Sequence, residues 1–183
     1  MSEEIIENVF YFEIDAYNEV QTSLLLQMKD WCRHFNRDET KLSISKALNE
    51  AVVKTKTKIK AYWITNWQVY LVLVADEKGT HVFLNRFYKF LLEELAKSVE
   101  SCDQVEGGYE VLNYHMFEHL FSRYPFYNYR LQNLLLGKTV KQPYYIPERA
   151  YLKAKLDQSN YCSVINYQGG KGPVLVNTIE DFE

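Results

Sequence analysis

The sequence predicts one α+β domain: a ferredoxin-like split β-α-β-β-α-β antiparallel sheet with helices packed on it, followed by a helical and extended C-terminal extension. Three observations point there. Apolar residues alternate near the start, at Phe10, Phe12 and Ile14. A hairpin pattern, "IKAYWIT" then "WQVYLVLV", stands mid-chain. Stretches of helical periodicity lie on both sides of it. With 183 residues, 47% of them hydrophobic and 25% charged, the chain can bury the core of a single domain.

Each element has its own justification. "NVFYFEIDAY" reads as the first strand. From Asn18 the period changes, and Val20, Leu24, Met28, Trp31 and Phe35 recur at helical spacing. "ISKALNEAVV" offers Ile44, Leu48, Ala51 and Val52 as a second, shorter helical face, with Ser43 as its cap. The hairpin follows, with Asn66 in its turn. After Gly79 and Thr80, "HVFLNRFYKFLLEELAKSVES" is a helix that turns Phe83, Phe87, Phe90, Leu91 and Leu95 inward. Gly107 and Gly108 precede "YEVLNY", the expected last strand, which closes a core of about residues 7–115. The extension, about 116–183, reads as helical and Tyr-rich to Gly137. An extended "KQPYYIPERA", a short helix from Pro147 and a terminal loop with two short strands complete it.

Composition narrows the function classes. A net charge of -3 argues mildly against a protein that holds nucleic acid by phosphate neutralisation over its whole surface, though not against a local basic patch. Cys32, Cys102 and Cys162 are dispersed, which suits reduced thiols and a cytoplasmic protein. "MSEEIIENVF" is acidic where a secretory leader would be basic. No apolar run reaches the ~20 residues of a membrane span, so no membrane partner is expected.

Several local motifs have the spacing of known chemistry. "HMFEH" places His115 and His119 one helical turn apart, the spacing of an inverted zinc-protease motif, but a third ligand is not evident and surface histidines account for it. "LGKT" lacks the earlier glycine of a phosphate loop, because Gln132 stands there. "KTKTKIK" sets Lys54, Lys56, Lys58 and Lys60 at alternate positions, either as lysines that discourage edge pairing or as a phosphate-contacting ridge. Gln68 and Tyr70 are the anomaly: an amide and a phenol, two residues apart, in the most apolar run of the chain.

"AYWITNWQVYLVL" resembles the A-Y-x-I-M-P-N-H-x-H-L-L stretch of the single-tyrosine HUH transposases, in particular the REP-associated tyrosine transposases and their Bacteroides-type relatives. Ala61, Tyr62, Ile64 and Leu71 match without a gap, and Gln68 and Tyr70 fall on the two histidine positions. A second resemblance runs through "PERAYL" and "YCSVINYQGGKGPVLV", where Pro147, Arg149, Ala150, Leu152, Tyr161, Ser163, Tyr167, Gly169, Lys171 and Gly172 match. Residues of about 100–140 resemble little in that family.

The resemblance implies a scaffold that binds single-stranded or hairpin DNA. In the family, two histidines on one strand face hold a divalent metal that polarises the scissile phosphate, and a tyrosine attacks it. Here the histidines are Gln68 and Tyr70, and the tyrosine position is Gln142, with Tyr144 and Tyr145 as displaced candidates. The implied protein is therefore a DNA-binding relative without catalysis, metal or cofactor. Lys54, Lys56, Lys58, Lys60, Trp67, Arg149 and Lys171 would contact DNA, with Trp63, Tyr70, Tyr144 and Tyr145 as further stacking surfaces. Two alternatives stay open: a metal-dependent transposase or nuclease using displaced residues such as Tyr145, His115 and His119, and a protein-interaction module without nucleic acid. A homodimer also stays open.

Overall fold

In the computed structural model, residues 11–14, 19–100, 120–138 and 146–178 are described. The strands are β1 (Tyr11–Ile14), β2 (Val20–Met28), β3 (Lys58–Ile64), β4 (Gln68–Val74) and β5 (Phe121–Pro125). The α-helices are α1 (Arg37–Thr55), α2 (Glu77–Glu100), α3 (Tyr129–Leu135), α4 (Pro147–Asp157) and α5 (Val164–Tyr167), and a 3-10 turn spans Asp30–His34. All strand pairs are antiparallel. β4 pairs with β2 along residues 21–27, so β1 and β5 share the other edge of β2, β1 against residues 20–23 and β5 against residues 24–28. Without β1, the order β5-β2-β4-β3 with α1 and α2 between strands is the split β-α-β-β-α-β arrangement, an α+β fold.

Two strands of the sheet differ from the sequence-based expectation. The segment from Asn18 is not a helix: Val20–Met28 is the central strand. A central strand is buried on both faces, so its polar/apolar alternation vanishes. Thr22, Ser23, Leu24, Leu26 and Met28 are all buried, and the spacing of Val20, Leu24 and Met28 mimics a helical stripe. Its buried hydroxyl is satisfied, since Thr22 Oγ1 donates to Ala75 O at 2.7 Å and accepts from Thr80 Oγ1 at 3.1 Å. The second correction concerns the last strand. Phe121–Pro125, inside the stretch expected to be helical, pairs with β2. Its proline ends an edge strand, where a missing N–H costs no ladder bond. The sheet thereby takes in residues expected to belong to the extension. "YEVLNY" lies outside the described residues.

The remaining elements follow from local chemistry. Asn36, not Ser43, caps α1: its side chain accepts from Asp38 N at 2.9 Å, and Ser43 is buried within the helix. Asp76 accepts from Gly79 N at 2.7 Å, so α2 begins four residues earlier than His81. In the hairpin, Thr65 Oγ1 accepts from Gln68 N at 2.9 Å and Thr65 N donates to Gln68 O at 2.8 Å. The expected helix at Pro147 is present, with the proline in the first turn. The terminal loop holds α5 and an isolated bridge between Cys162 and Trp63; among its described residues there is no strand.

Helices α1 and α2 pack on one face of the sheet. Ile44, Leu48, Phe83, Phe87, Leu91 and Leu95 meet Leu24, Leu26, Val69, Leu71 and Leu73 in the main core. A smaller cluster on the other face joins Ala61 and Val72 to Phe126, Leu131, Leu135, Leu156 and Cys162 of the extension. Cys32 and Cys162 are free thiols, both buried. No helix among the described residues is long and apolar enough to cross a membrane.

Candidate nucleic-acid interface

Strand β4 sorts its side chains by parity. Val69, Leu71 and Leu73 point into the helix-covered core, and Gln68, Tyr70 and Val72 point to the extension side. Register then builds rows across that second face. Leu25 lies opposite both Tyr70 and Tyr124, and Tyr70 opposite Trp63, giving one cross-sheet row of Tyr124, Leu25, Tyr70 and Trp63. The next row sets Ser122, Gln27 and Gln68 side by side.

The misfit pair is accounted for by a hydrogen-bond chain. Tyr70 OH donates to Gln68 Oε1 at 2.8 Å, Gln68 Nε2 donates to Gln27 Oε1 at 2.8 Å, and Gln27 Nε2 donates to Trp67 O at 3.1 Å. The Tyr70 ring stacks on Trp63 at 5.3 Å and meets Phe126 edge-on at 5.1 Å. Burial raises the Tyr70 pKa, against a smaller lowering by the nearby Lys155 charge. This pair does not fit a divalent metal. The Gln68 carbonyl already accepts from a phenol, the phenol is held protonated, and the Lys155 charge acts on Tyr70 from the same groove.

Around the pair lies an open groove of about 630 Å³, bounded by the hairpin turn, α1, α3 and α4. Its lining brings together Trp63, Trp67, Gln68, Tyr70, Asn128, Lys41 and Lys155, with no carboxylate among the described lining residues. Trp67 is 41% exposed at the hairpin tip, with the Arg37 guanidinium 5.7 Å from its ring centroid. Lys41 sits 5.7 Å over the Tyr161 ring and Lys155 sits 4.8 Å over the Tyr151 ring. Trp63 Nε1 donates to Ser159 Oγ at 3.3 Å, tying the row to the end of α4.

The residues expected from sequence fall in several places. Trp67, Gln68 and Tyr70 line the groove; Lys54, Lys56, Lys58, Lys60, Arg149 and Lys171 are not among its lining residues. Only Lys58 and Lys60 are on the strand edge. Lys54 is in the last turn of α1, and Lys56 takes the left-handed C-cap conformation at φ 58°. Lys58 and Lys60 pair with Glu19 at 3.3 and 3.2 Å. Those bonds, with Lys60 the stronger partner, hold the Glu19 carboxyl below its usual pKa. Arg149 lines a separate cavity, and Lys171 is an exposed loop residue. Gln142, Tyr144, Tyr145, His115 and His119 lie outside the described residues. Sequence reasoning missed Lys41, Lys155 and Arg37, because nothing distinguishes one helical lysine from another until the sheet rows are placed.

The two motifs that carry the family resemblance touch each other along the β3 edge. Ser163 N donates to Tyr62 O at 2.9 Å, and Ser163 Oγ accepts from Tyr62 N at 3.1 Å while donating to Leu135 O at 2.7 Å. Tyr161 O accepts from Ile64 N at 2.9 Å, and Tyr167 OH donates to Lys60 O at 2.8 Å. A Cβ at Gly172 would lie 2.5 Å from Tyr62 OH, so only glycine lets the terminal loop approach so closely. These bonds occupy what would be an open sheet edge. No protein family, curated protein or solved structure matches this chain.

Proposed function

We propose that this protein binds single-stranded or hairpin DNA along the groove on the extension side of its sheet, as a non-catalytic relative of the single-tyrosine HUH transposases. The groove carries the reading: it sets an exposed tryptophan and a stacked Trp63–Tyr70 pair among Lys41, Lys155 and Arg37, with no carboxylate among its described lining residues. Bases stack on aromatic faces without regard to sequence, and cations around them meet phosphates. Trp67, exposed at the hairpin tip, offers a base its accessible ring surface. The contact between the two motifs, Tyr62 with Ser163 and Gly172, further supports kinship, because matched residues distant in sequence serve one edge.

The closed hydrogen-bond chain through Gln68 supports the non-catalytic part. A metal there would have to displace Tyr70 from Gln68 and face Lys155. The test is fluorescence anisotropy with labelled single-stranded and hairpin DNA over a range of salt. Binding should weaken with a slope of about -0.7 in log affinity against log salt for each phosphate contacted in a single strand. Absence of binding at low salt, or metal-dependent nicking of the hairpin by the wild type, would overturn the proposal.

A further inference from the structure

A second cavity, of about 300 Å³, shares no lining residue with the groove. Its walls are α4, the end of α3 and α5. Arg149 and Lys153 are one turn apart on the same side of α4, and Lys138 follows the end of α3. Among the described lining residues, three cations stand beside one carboxylate, Asp157. Leu134, Leu156 and Val164 supply an apolar floor beside Tyr167.

The Tyr167 ring is fixed in place. Its hydroxyl is bonded to Lys60 O, and Gly137, at φ 66°, lies so close that a Cβ there would stand 2.6 Å from Tyr167 Cβ. The pocket therefore has a rigid aromatic and aliphatic floor under a cationic rim. Its volume is at the lower end of small-molecule sites, about 300–1,000 Å³.

We propose that this pocket binds a phosphomonoester whose organic body rests on the apolar floor. A dianionic phosphate suits a lining whose described cations outnumber its carboxylate three to one. An arginine fork with two lysines suits three phosphate oxygens better than it suits a single carboxylate. Two sources share this chemistry, a free nucleotide and the phosphorylated end of a nucleic-acid strand.

Calorimetric titrations on the full chain separate them. The probes are AMP, adenosine, and one single-stranded DNA with either a 5′-phosphate or a 5′-hydroxyl. AMP should bind at least about tenfold more tightly than adenosine, a difference of about 1.4 kcal/mol. Lys138→Gln with Lys153→Gln should abolish that preference, while Lys54→Gln with Lys56→Gln, an equal loss of charge elsewhere, should leave it intact. A matching preference for 5′-phosphorylated DNA, lost in the same variant, identifies a strand end as the source. Equal affinity of the two DNAs beside a retained AMP preference identifies a free nucleotide. Both lysines are exposed, and thermal melts confirm that the variant is folded. If AMP binds no better than adenosine and the two DNAs bind alike, or if the preference survives in Lys138→Gln/Lys153→Gln, the proposal fails. Because Lys138 and Lys153 lie outside the groove, this failure is distinct from failure of the DNA-binding reading. Trp67→Ala should leave the AMP preference unchanged.

Discussion

The two faces of the sheet are made by the same strands and do opposite things. On the helix side, Val69, Leu71 and Leu73 of β4 are fully buried under two helices. One residue along in each case, Gln68 and Tyr70 sit half-buried beside an open groove. Burying a leucine or phenylalanine contributes roughly 1.5–3 kcal/mol each, so the helix face holds most of the folding energy. The extension face spends part of its area on polar chains, exposed aromatics and cations, which suits recognition. Substitutions one residue apart in β4 should therefore separate stability from binding.

The largest effect belongs to the helix face. Leu71→Ala should destabilise the fold by about 2–5 kcal/mol, from lost transfer energy plus the cavity left among α1, α2 and the sheet. Denaturant unfolding measures it. The folded fraction should still bind DNA with wild-type affinity; a specific loss of affinity at constant folded fraction would break the division between faces.

Trp67→Ala makes the converse case. Its side chain is at the hairpin tip, and the surrounding turn is held by Thr65 rather than by the indole. Stability should change by less than about 1 kcal/mol, as for surface positions generally. DNA affinity should fall by about 1–3 kcal/mol, the range for one base–aromatic stack. Anisotropy titration beside a thermal melt checks both numbers.

How far the sequence revealed these faces depends on the strand. The β3–β4 hairpin was legible because Asn66 punctuates two β-rich runs, and α2 because it has a clean apolar stripe. β2 was not, because burial on both faces removed the alternation that identifies a strand. β5 was obscured by its brevity, its proline and the stronger strand pattern of "YEVLNY". Within the site, Gln68 and Tyr70 stood out as residues unlike their neighbours, and Trp67 entered only through the family resemblance. Lys41 and Lys155 did not, since they are contributed by helices distant in sequence, and only folding brings them to one groove. The lysine ridge was misleading for a related reason: the alternate spacing spans a helix end and a strand, and two of its members pair with Glu19.

Replacing the misfit pair sharpens the account of the recognition face. Gln68→His with Tyr70→His places two imidazoles at i and i+2 on one strand face, a weak site for a divalent transition metal. Zinc or manganese at tenfold its Kd should then stabilise the variant by about 1.4 kcal/mol, by mass action. Lys155, lining the same groove, opposes the cation and keeps affinity low. Wild type should show no metal-dependent shift at this face. Specific binding by wild type, located by its loss in Gln68→Ala, would mean that the hydrogen-bond chain opens to accept a metal.

The smallest effect isolates the phenol itself. Tyr70→Phe removes the bond to Gln68 Oε1 but keeps the stack on Trp63. Gln68 is half-buried beside the groove, so water can replace the lost donor, and the cost should be about 0.5–1.5 kcal/mol at neutral pH. Alkali gives the discriminating measurement. Burial raises the folded-state pKa of Tyr70 above its unfolded value near 10. The folded chain thus holds this proton more tightly, and the resulting stability is complete below about pH 10. It is lost as pH rises through the folded pKa. Tyr167, pushed up to about 12 by burial, adds the same downward trend to wild type and variant alike. The gap between wild type and Tyr70→Phe should therefore narrow from about pH 10 upward, since only wild type can ionise a phenol at this position. A gap that stays constant to pH 11 would mean that Tyr70 titrates as a solvated phenol, and that the extension face is more open than the stacked row implies.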